Sequence, residues 1–223
     1  LIVSVVVGTI WFGGWLLALA LVALAWRCGV EAARVAFIRF DGPKASAHVV
    51  GGGIAMAGLI GALLPVPVLA ILLGLLYCAA IFLFFSNVLQ GDPQVRLALE
   101  LAVFPGLPLV LFVGAGVHGG YGAWLLVAFL LVETFDSYAL LGGKLFGRTG
   151  AVLAGLPVLH SCAVALFVGA LTVAGDLTAS ALKRRSGVKD YPAILPHQGG
   201  LLDIVDAWIV AASGLILAVS LFG

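Results

Sequence analysis

Charge is what this chain has least of. Eleven Lys/Arg and ten Asp/Glu make up 9% of 223 residues, where a soluble globular domain carries about a quarter. Together with a mean hydropathy of +1.25, that scarcity excludes an ordinary soluble domain. Strict alternation of apolar and polar residues is also missing, which excludes a transmembrane barrel. Cysteine is nearly absent. Cys28, Cys78 and Cys162 show no CxxC spacing and lie in or beside apolar segments, so they read as small buried hydrophobes rather than a disulfide or metal framework. A net charge of +1 points to no class of partner, and no nucleic acid is expected. Nor does the chain open with Met. It begins at Leu1 inside an apolar run, so the natural N-terminus is expected to lie upstream, and a signal segment is neither called nor excluded.

What is present is apolar run after apolar run, each on the order of 20 residues, the length that crosses a bilayer as a helix. The expected fold is all-α, a polytopic transmembrane helical bundle of about 7–9 spans with a polar cavity on its cytoplasmic side. Residues 1–121 read as N-terminal transmembrane helices and 122–223 as a C-terminal catalytic region. Phe12-Gly-Gly-Trp15 makes a turn with interfacial aromatics. A long helix follows, and its tail carries Arg27, Glu31 and Arg34, with Arg27–Glu31 an i,i+4 pair. That tail reads as a helix emerging into headgroups rather than as a site. The spans at 46–64 and 68–86 flank Pro65-Val-Pro67, and glycines in the former are expected to permit close packing. Pro105 and Pro108 are expected to kink the span at 97–115. His118 stands alone in its loop and reads as a loop residue, not a ligand.

Basic residues collect at 27–44, 96, 144–148 and 183–189, whereas the loops at 65–67 and 116–121 have none. The positive-inside rule puts the first group in the cytoplasm and the second outside. Crossings alternate correctly as far as Arg148. Beyond it, one apolar segment, 150–174, separates two basic loops that belong on the same side. Either this segment is re-entrant, broken at Pro157, or the interval from Arg148 to Asp176 lacks residues. A helix is expected to resume near Gly175-Asp176.

The few charges are not spread evenly. Lys183, Arg184, Arg185 and Lys189 are four of the eleven bases, and Asp190, Asp203 and Asp206 are three of the ten acids. A charge cluster in an apolar chain is a functional hypothesis by default, because charge in lipid is expensive. Basic groups suit phosphates, and paired carboxylates suit a hard cation such as magnesium. Asp176, Ser180, Lys183 and Arg184 fall on one helical stripe. Asp203 and Asp206 share one face of the last helix, and Glu133 and Asp136 share a face further upstream. Asp203 and Asp206 stand near a helix N-terminus. The dipole there explains one carboxylate. Two on one face, opposite a basic stripe, are better explained by cation binding.

These residues resemble the signature of the phosphatidate cytidylyltransferase (CDP-diacylglycerol synthase) family. The matching positions are Ser180, Leu182, Lys183, Arg184, Lys189, Asp190, Leu195, Pro196, Gly199, Gly200, Leu201, Asp203, Val205 and Asp206. Upstream, Asp136-Ser-Tyr-Ala139, Gly143-Lys144-Leu-Phe-Gly147-Arg148 and Gly175-Asp176 resemble further family runs. The resemblance covers the C-terminal two-fifths specifically, and the rest agrees only in being apolar helices. Three positions depart from it. Pro192 replaces a usually small residue. Gln198 stands where the family has His, with His197 adjacent. Ile204 stands where the family has Arg, which removes a fixed-charge phosphate partner.

The resemblance implies transfer of a cytidylyl group from CTP to phosphatidate, giving CDP-diacylglycerol and pyrophosphate in phospholipid biosynthesis. It implies catalytic roles for Asp206, Asp203, Lys183 and Lys189. Substrate contacts are implied for Asp136, Lys144, Arg148, Ser180, Arg184, His197, Gly199 and Gly200. Mg2+ would be held by Asp176, Asp203 and Asp206. A second cation such as K+ would draw on Ser180 and Asp190. Membrane lipids and a homodimer partner are implied as well, in a bacterial cytoplasmic membrane with the site facing the cytoplasm. The alternatives are a CTP-dependent polyprenol- or phytol-type lipid kinase, which would release CDP, and a non-catalytic membrane paralogue or transporter. The Lys-Asp, Gly-Gly and Asp-x-x-Asp spacing favours the cytidylyltransferase, and no inverted repeat supports a transporter.

Overall fold

Helix boundaries fall where proline and glycine place them. A computed structural model describes residues 8–9, 14–40, 44–86, 93–118, 120–141, 158–193 and 199–222, apart from the side chains at 40, 44–45, 84–85, 134–141, 158–162 and 222. Helix α1 (Gly14–Phe37) ends in a 3-10 turn, Ile38–Phe40, and α2 (Lys44–Gly61) and α3 (Val66–Phe85) follow. Pro65 precedes α3 and Pro67 sits in its first turn, where a missing N–H breaks no helical hydrogen bond. Helices α4 (Pro93–Leu101) and α5 (Leu107–Gly116) flank a π-helical stretch, Ala102–Gly106, whose Phe104 leaves helical geometry (φ −148°, ψ 127°) ahead of Pro105. The expected kink is therefore at Pro105. Pro108 lies in the first turn of α5 instead, where it is tolerated. Helices α6 (Gly122–Leu141), α7 (Val158–Arg185) and α8 (Leu201–Phe222) complete the order, and no strand occurs among the described residues.

Among the described residues, five helical stretches are long and apolar enough to cross a membrane: Gly14–Phe37, Val66–Leu83, Pro93–Gly116, Ala163–Arg185 and Leu201–Leu221. Two shorter apolar helical stretches, Ser46–Gly61 and Gly122–Glu133, lie among them. The chain is an all-α integral membrane protein.

One polar cluster and one hydrogen bond fix which helix ends lie together. At one end, the Glu100 carboxylate gathers Arg39, Arg185 (2.9 Å) and Arg96 (3.8 Å). At the other end, His118 Nε2 meets the Ala62 carbonyl at 3.0 Å. The bases at 39, 96 and 185 thus share one face, and the loops that lack Lys and Arg share the opposite face, as the alternation of charge requires. Helix α7 is continuous through Gly175-Asp176, not resumed there as the sequence suggests. Helices α6 and α7 run the same way across the bundle. The connection between them, 142–157, lies outside the described residues, as does the interval near Thr149 where the crossing count fails.

Helix α8 is the axis of the bundle and packs against α2's neighbours α1 and α5 as well as α3, α6 and α7. Trp208 anchors it. Its ring meets Phe112 and Phe129 edge-on, with centroids 4.7 and 5.1 Å away, and its Nε1–H donates to the Leu125 carbonyl at 3.1 Å. Edge-to-face pairs and a partnered indole N–H are how a buried Trp is accommodated. Ser213 donates to the Pro108 carbonyl at 2.8 Å, tying α8 to α5. In lipid, helices gain from close contact rather than from leaving water. Glycines supply that closeness: a Cβ on Gly51 would run into the Trp26 carbonyl oxygen, and one on Gly58 would fall 2.6 Å from Val113 Cβ. Gly52 and Gly53, in the same run, meet open space.

Candidate functional site

The signature begins where α7 ends, and its spacing has a structural cause. Lys183, Arg184 and Arg185 occupy the last turn, where cations complement the helix dipole. The Val188 N–H bonds to the Lys183 carbonyl (3.1 Å) and the Gly187 N–H to the Arg184 carbonyl (3.1 Å). Gly187 adopts φ +72°. This is a Schellman cap, which needs a residue that accepts the left-handed conformation. Arg185-Ser-Gly-Val188 between the two charged pairs is thus the cap that reverses the chain, and Lys189 and Asp190 emerge exposed just past it.

The returning chain is fastened by Asp203, the third residue of α8. Its Oδ1 pairs with Lys183 Nζ at 2.6 Å. Its Oδ2 accepts the N–H groups of Tyr191 and Gly200, each at 2.9 Å. Tyr191 is buried beneath Lys183, whose Nζ lies 5.2 Å from the ring centroid. The Tyr191 hydroxyl donates to the Ala179 carbonyl at 3.3 Å. Burial, reinforced by the Asp203 and Asp206 carboxylates, pushes that hydroxyl's pKa up, so it stays a neutral donor. Asp203 is thus engaged on both oxygens by donors of this chain. Gly199 and Gly200 carry a steric duty here, because a Cβ on either would come within 2.5 Å of the Asp203 and Glu31 carboxylates respectively.

Asp206 lies one turn further along α8, nearly buried, with Oδ1 accepting the Ala207 N–H at 2.7 Å. It faces a cavity of about 460 Å³ between α6, α7 and α8, lined by Glu133, Thr172, Asp176, Asp203, Ile204 and Trp208 among others. Gly175 makes the site possible. A Cβ there would fall 2.9 Å from both the Ala207 Cα and the Asp206 carbonyl oxygen, so α7 and α8 meet backbone to backbone beside the two carboxylates.

The structure therefore brings together Asp176, Asp203, Asp206 and Lys183, with Ser180 half-buried one turn above Lys183 on α7. Arg184, Lys189 and Asp190 are exposed, and none of them lines the cavity. Asp136 lies on α6, with its side chain outside those described. Lys144, Arg148 and His197 lie outside the described residues. Ile204 is 39% exposed and lines the cavity, so the position that departs from the signature faces the site and not the core.

Among the described residues, no three His, Cys, Asp or Glu side chains converge closely enough to cage a metal ion. The donor set suits a different mode. Asp176 and Asp206 offer hard carboxylate oxygens to one open cavity, and Mg2+ is commonly held by one or two carboxylates, with substrate phosphates and water completing its shell.

Sequence reasoning missed Glu31. It stands in α1, fully buried, ion-paired to Arg27 (Nε–Oε1 2.8 Å), and its Oε2 accepts the Leu202 N–H at 2.8 Å across the chain. A helix tail entering headgroups would have left it exposed. The available signal was an acid inside an otherwise apolar helix.

Residues 150–222 match the model of the Cytidylyltransferase family. The phosphatidate cytidylyltransferase of Helicobacter pylori (strain 26695) is 35% identical over 147 residues, 51% of this chain and 53% of its own. Phosphatidate cytidylyltransferase 5, chloroplastic, of Arabidopsis thaliana is 30% identical over 128 residues, 42% of this chain and 32% of its own. The uncharacterized protein YnbB of Escherichia coli is 31% identical over 168 residues, 57% of this chain and 56% of its own. The chain spans between a third and a little over half of the length of these relatives. The resemblance read from the charged signature is thereby borne out.

Proposed function

We propose that the protein transfers the cytidylyl group of CTP to phosphatidate. A phosphate oxygen of the lipid attacks the α-phosphorus of CTP. The bond from that phosphorus to the oxygen bridging to the β-phosphorus breaks, and pyrophosphate leaves with CDP-diacylglycerol as the other product. The observation that supports this most is the placement of Asp176 and Asp206, from α7 and α8, on one cavity with Lys183 held nearby by Asp203.

Phosphoryl-type transfer asks little covalent work of a protein, and catalysis is chiefly alignment and neutralisation of charge. In this reading Asp206 and Asp176 would hold Mg2+, which when bound offsets charge on the triphosphate. Lys183 is directed by Asp203 and Tyr191 toward a phosphate. Arg184, exposed in the last turn of α7, and Lys189, exposed just past the cap, draw the anionic substrates in. Asp136, Lys144, Arg148 and His197 would complete the substrate contacts, with Gly199 and Gly200 giving the loop its close fit. A second cation such as K+ would be held near Ser180 and Asp190. The acyl chains of the acceptor remain in lipid, against the exposed Val173 and Leu177 on the α7 wall of the cavity. In this reading the site faces the cytoplasm from a bacterial cytoplasmic membrane, which the clustered bases at the Glu100 end support, and a homodimer belongs to the same reading.

The test is turnover of CTP by the purified protein with phosphatidate in detergent, following CDP-diacylglycerol and pyrophosphate with and without Mg2+. Formation of both products, dependent on Mg2+ and lost in Asp206→Ala, is expected. CTP binding without either product would sink the reading, and release of CDP with a lipid alcohol as acceptor would replace it with the kinase.

A further inference from the structure

The N-terminus of α8 has no cap of its own. Gly200 occupies the position whose side chain ordinarily accepts the N–H of the second or third helical residue, and it has no side chain. Leu201 and Leu202, which follow, cannot serve either. Half of a capping box is nevertheless present: Asp203, at the third position, reaches back to the Gly200 N–H at 2.9 Å. The other half comes from α1. Glu31, fully buried, accepts the N–H of Leu202 at 2.8 Å, 171 positions away in sequence. The two halves are mutually exclusive with a local cap, since a Cβ on residue 200 would fall 2.5 Å from Glu31 Oε2. Arg27 meets the other Glu31 oxygen at 2.8 Å and compensates its charge.

We propose that Glu31 is a positioning residue for the carboxylates of α8, acting as a cap supplied by the N-terminal helices. Its hydrogen bond fixes the first turn of the helix that presents Asp203 to Lys183 and Asp206 to the cavity. The role rests on the cytidylyl-transfer reading of that cavity. It also gives α1 a duty in the reaction that the C-terminal signature does not contain. Glu31 touches no substrate, and the effect passes through the backbone of Leu202.

The experiment uses the full chain in detergent with the variants Glu31→Ala, Glu31→Gln and Glu31→Asp. Mn2+–CTP binding is followed by electron paramagnetic resonance, kcat and KM by product formation, and unfolding by a thermal melt. Glu31→Gln keeps an acceptor for the Leu202 N–H but loses the ion pair with Arg27, and its losses in Mn2+–CTP affinity and kcat are expected to be clearly smaller than those of Glu31→Ala. Glu31→Ala removes the acceptor, and at least tenfold losses in Mn2+–CTP affinity and in kcat are expected from protein that is still folded. Glu31→Asp keeps the charge near Arg27 but is one methylene too short to reach, so it should lose affinity as the alanine variant does; it serves where alanine does not fold. A lowered melting temperature with wild-type affinity and kcat in the folded protein overturns the proposal, leaving Glu31 a purely structural residue. Equal losses in the glutamine and alanine variants also overturn it, because charge and not the cap would then matter. A wild type that neither binds Mn2+–CTP nor forms product overturns the functional reading and this role together, whereas an active wild type with unaffected variants overturns the role alone.

Discussion

Lys183 and Asp203 form a mostly buried ion pair, Nζ to Oδ1 2.6 Å, with side chains 12% and 16% exposed. The sequence separates them by a helix cap and a loop, and the fold makes them one unit with Tyr191 and Gly200. Removing Asp203 leaves Lys183 and two backbone N–H groups without their acceptor. Asp203→Ala is expected to cost roughly 2–4 kcal/mol of stability, the range for an orphaned, mostly buried charge partner. Chemical unfolding in detergent measures it. A double-mutant cycle with Lys183→Met should be strongly non-additive, since the two residues share one network; additive losses would show that the pair acts as two separate residues.

Gly175 lets the α7 backbone touch α8 at Asp206 and Ala207, 2.9 Å from where a Cβ would stand. The neighbours are backbone atoms that cannot rotate away. Gly175→Ala should push the helices apart beside the site, lowering the melting temperature and reducing activity by at least tenfold. Gly52→Ala, on α2 and facing open space, is the matched control and should leave both unchanged. Equal effects of the two substitutions would refute the close-approach explanation.

Ile204 faces the cavity at the position where the family signature has Arg. Because it is already partly exposed there, Ile204→Arg adds a guanidinium at the site without burying it. A new hydrogen bond to a charged phosphate is worth about 1.5–3 kcal/mol, so under the proposed cytidylyl transfer kcat/KM for phosphatidate should rise about tenfold or more. A fall in kcat/KM would mean that the apolar wall here serves the chain's own substrate.

Glu100 holds Arg39, Arg96 and Arg185 from three separate helical elements, away from the cavity. Glu100→Gln leaves these guanidiniums facing one another. The expected result is a lower melting temperature, by an amount that added salt partly restores through screening, with kcat of the folded protein near that of the wild type. A selective loss of kcat at unchanged melting temperature would contradict the assignment of Glu100 to the scaffold.

Local rules in the sequence determined much of this protein. Apolar length set the helices, Pro65 and Pro105 set where they start and bend, and Ser186-Gly187 closed α7 with a left-handed glycine. Charge asymmetry among the loops grouped Arg39, Arg96 and Arg185 at one end of the bundle, where the structure gathers them around Glu100. The spacing of Lys183, Asp203 and Asp206 marked a candidate site, because charges in an apolar chain stand out one by one. The tertiary structure alone decided what each carboxylate does. Asp203 and Asp206 sit on one helical face, look alike in sequence and line one cavity, yet Asp203 is engaged by Lys183 and two backbone amides while Asp206 accepts only the N–H of Ala207 among the described hydrogen bonds. Glu31 looked like a helix end meeting headgroups, and only packing of α1 on α8 made it the cap of a helix that lacks its own. Hydrogen bonds between distant segments depend on which helices meet and at what depth, and no local period in the chain encodes that.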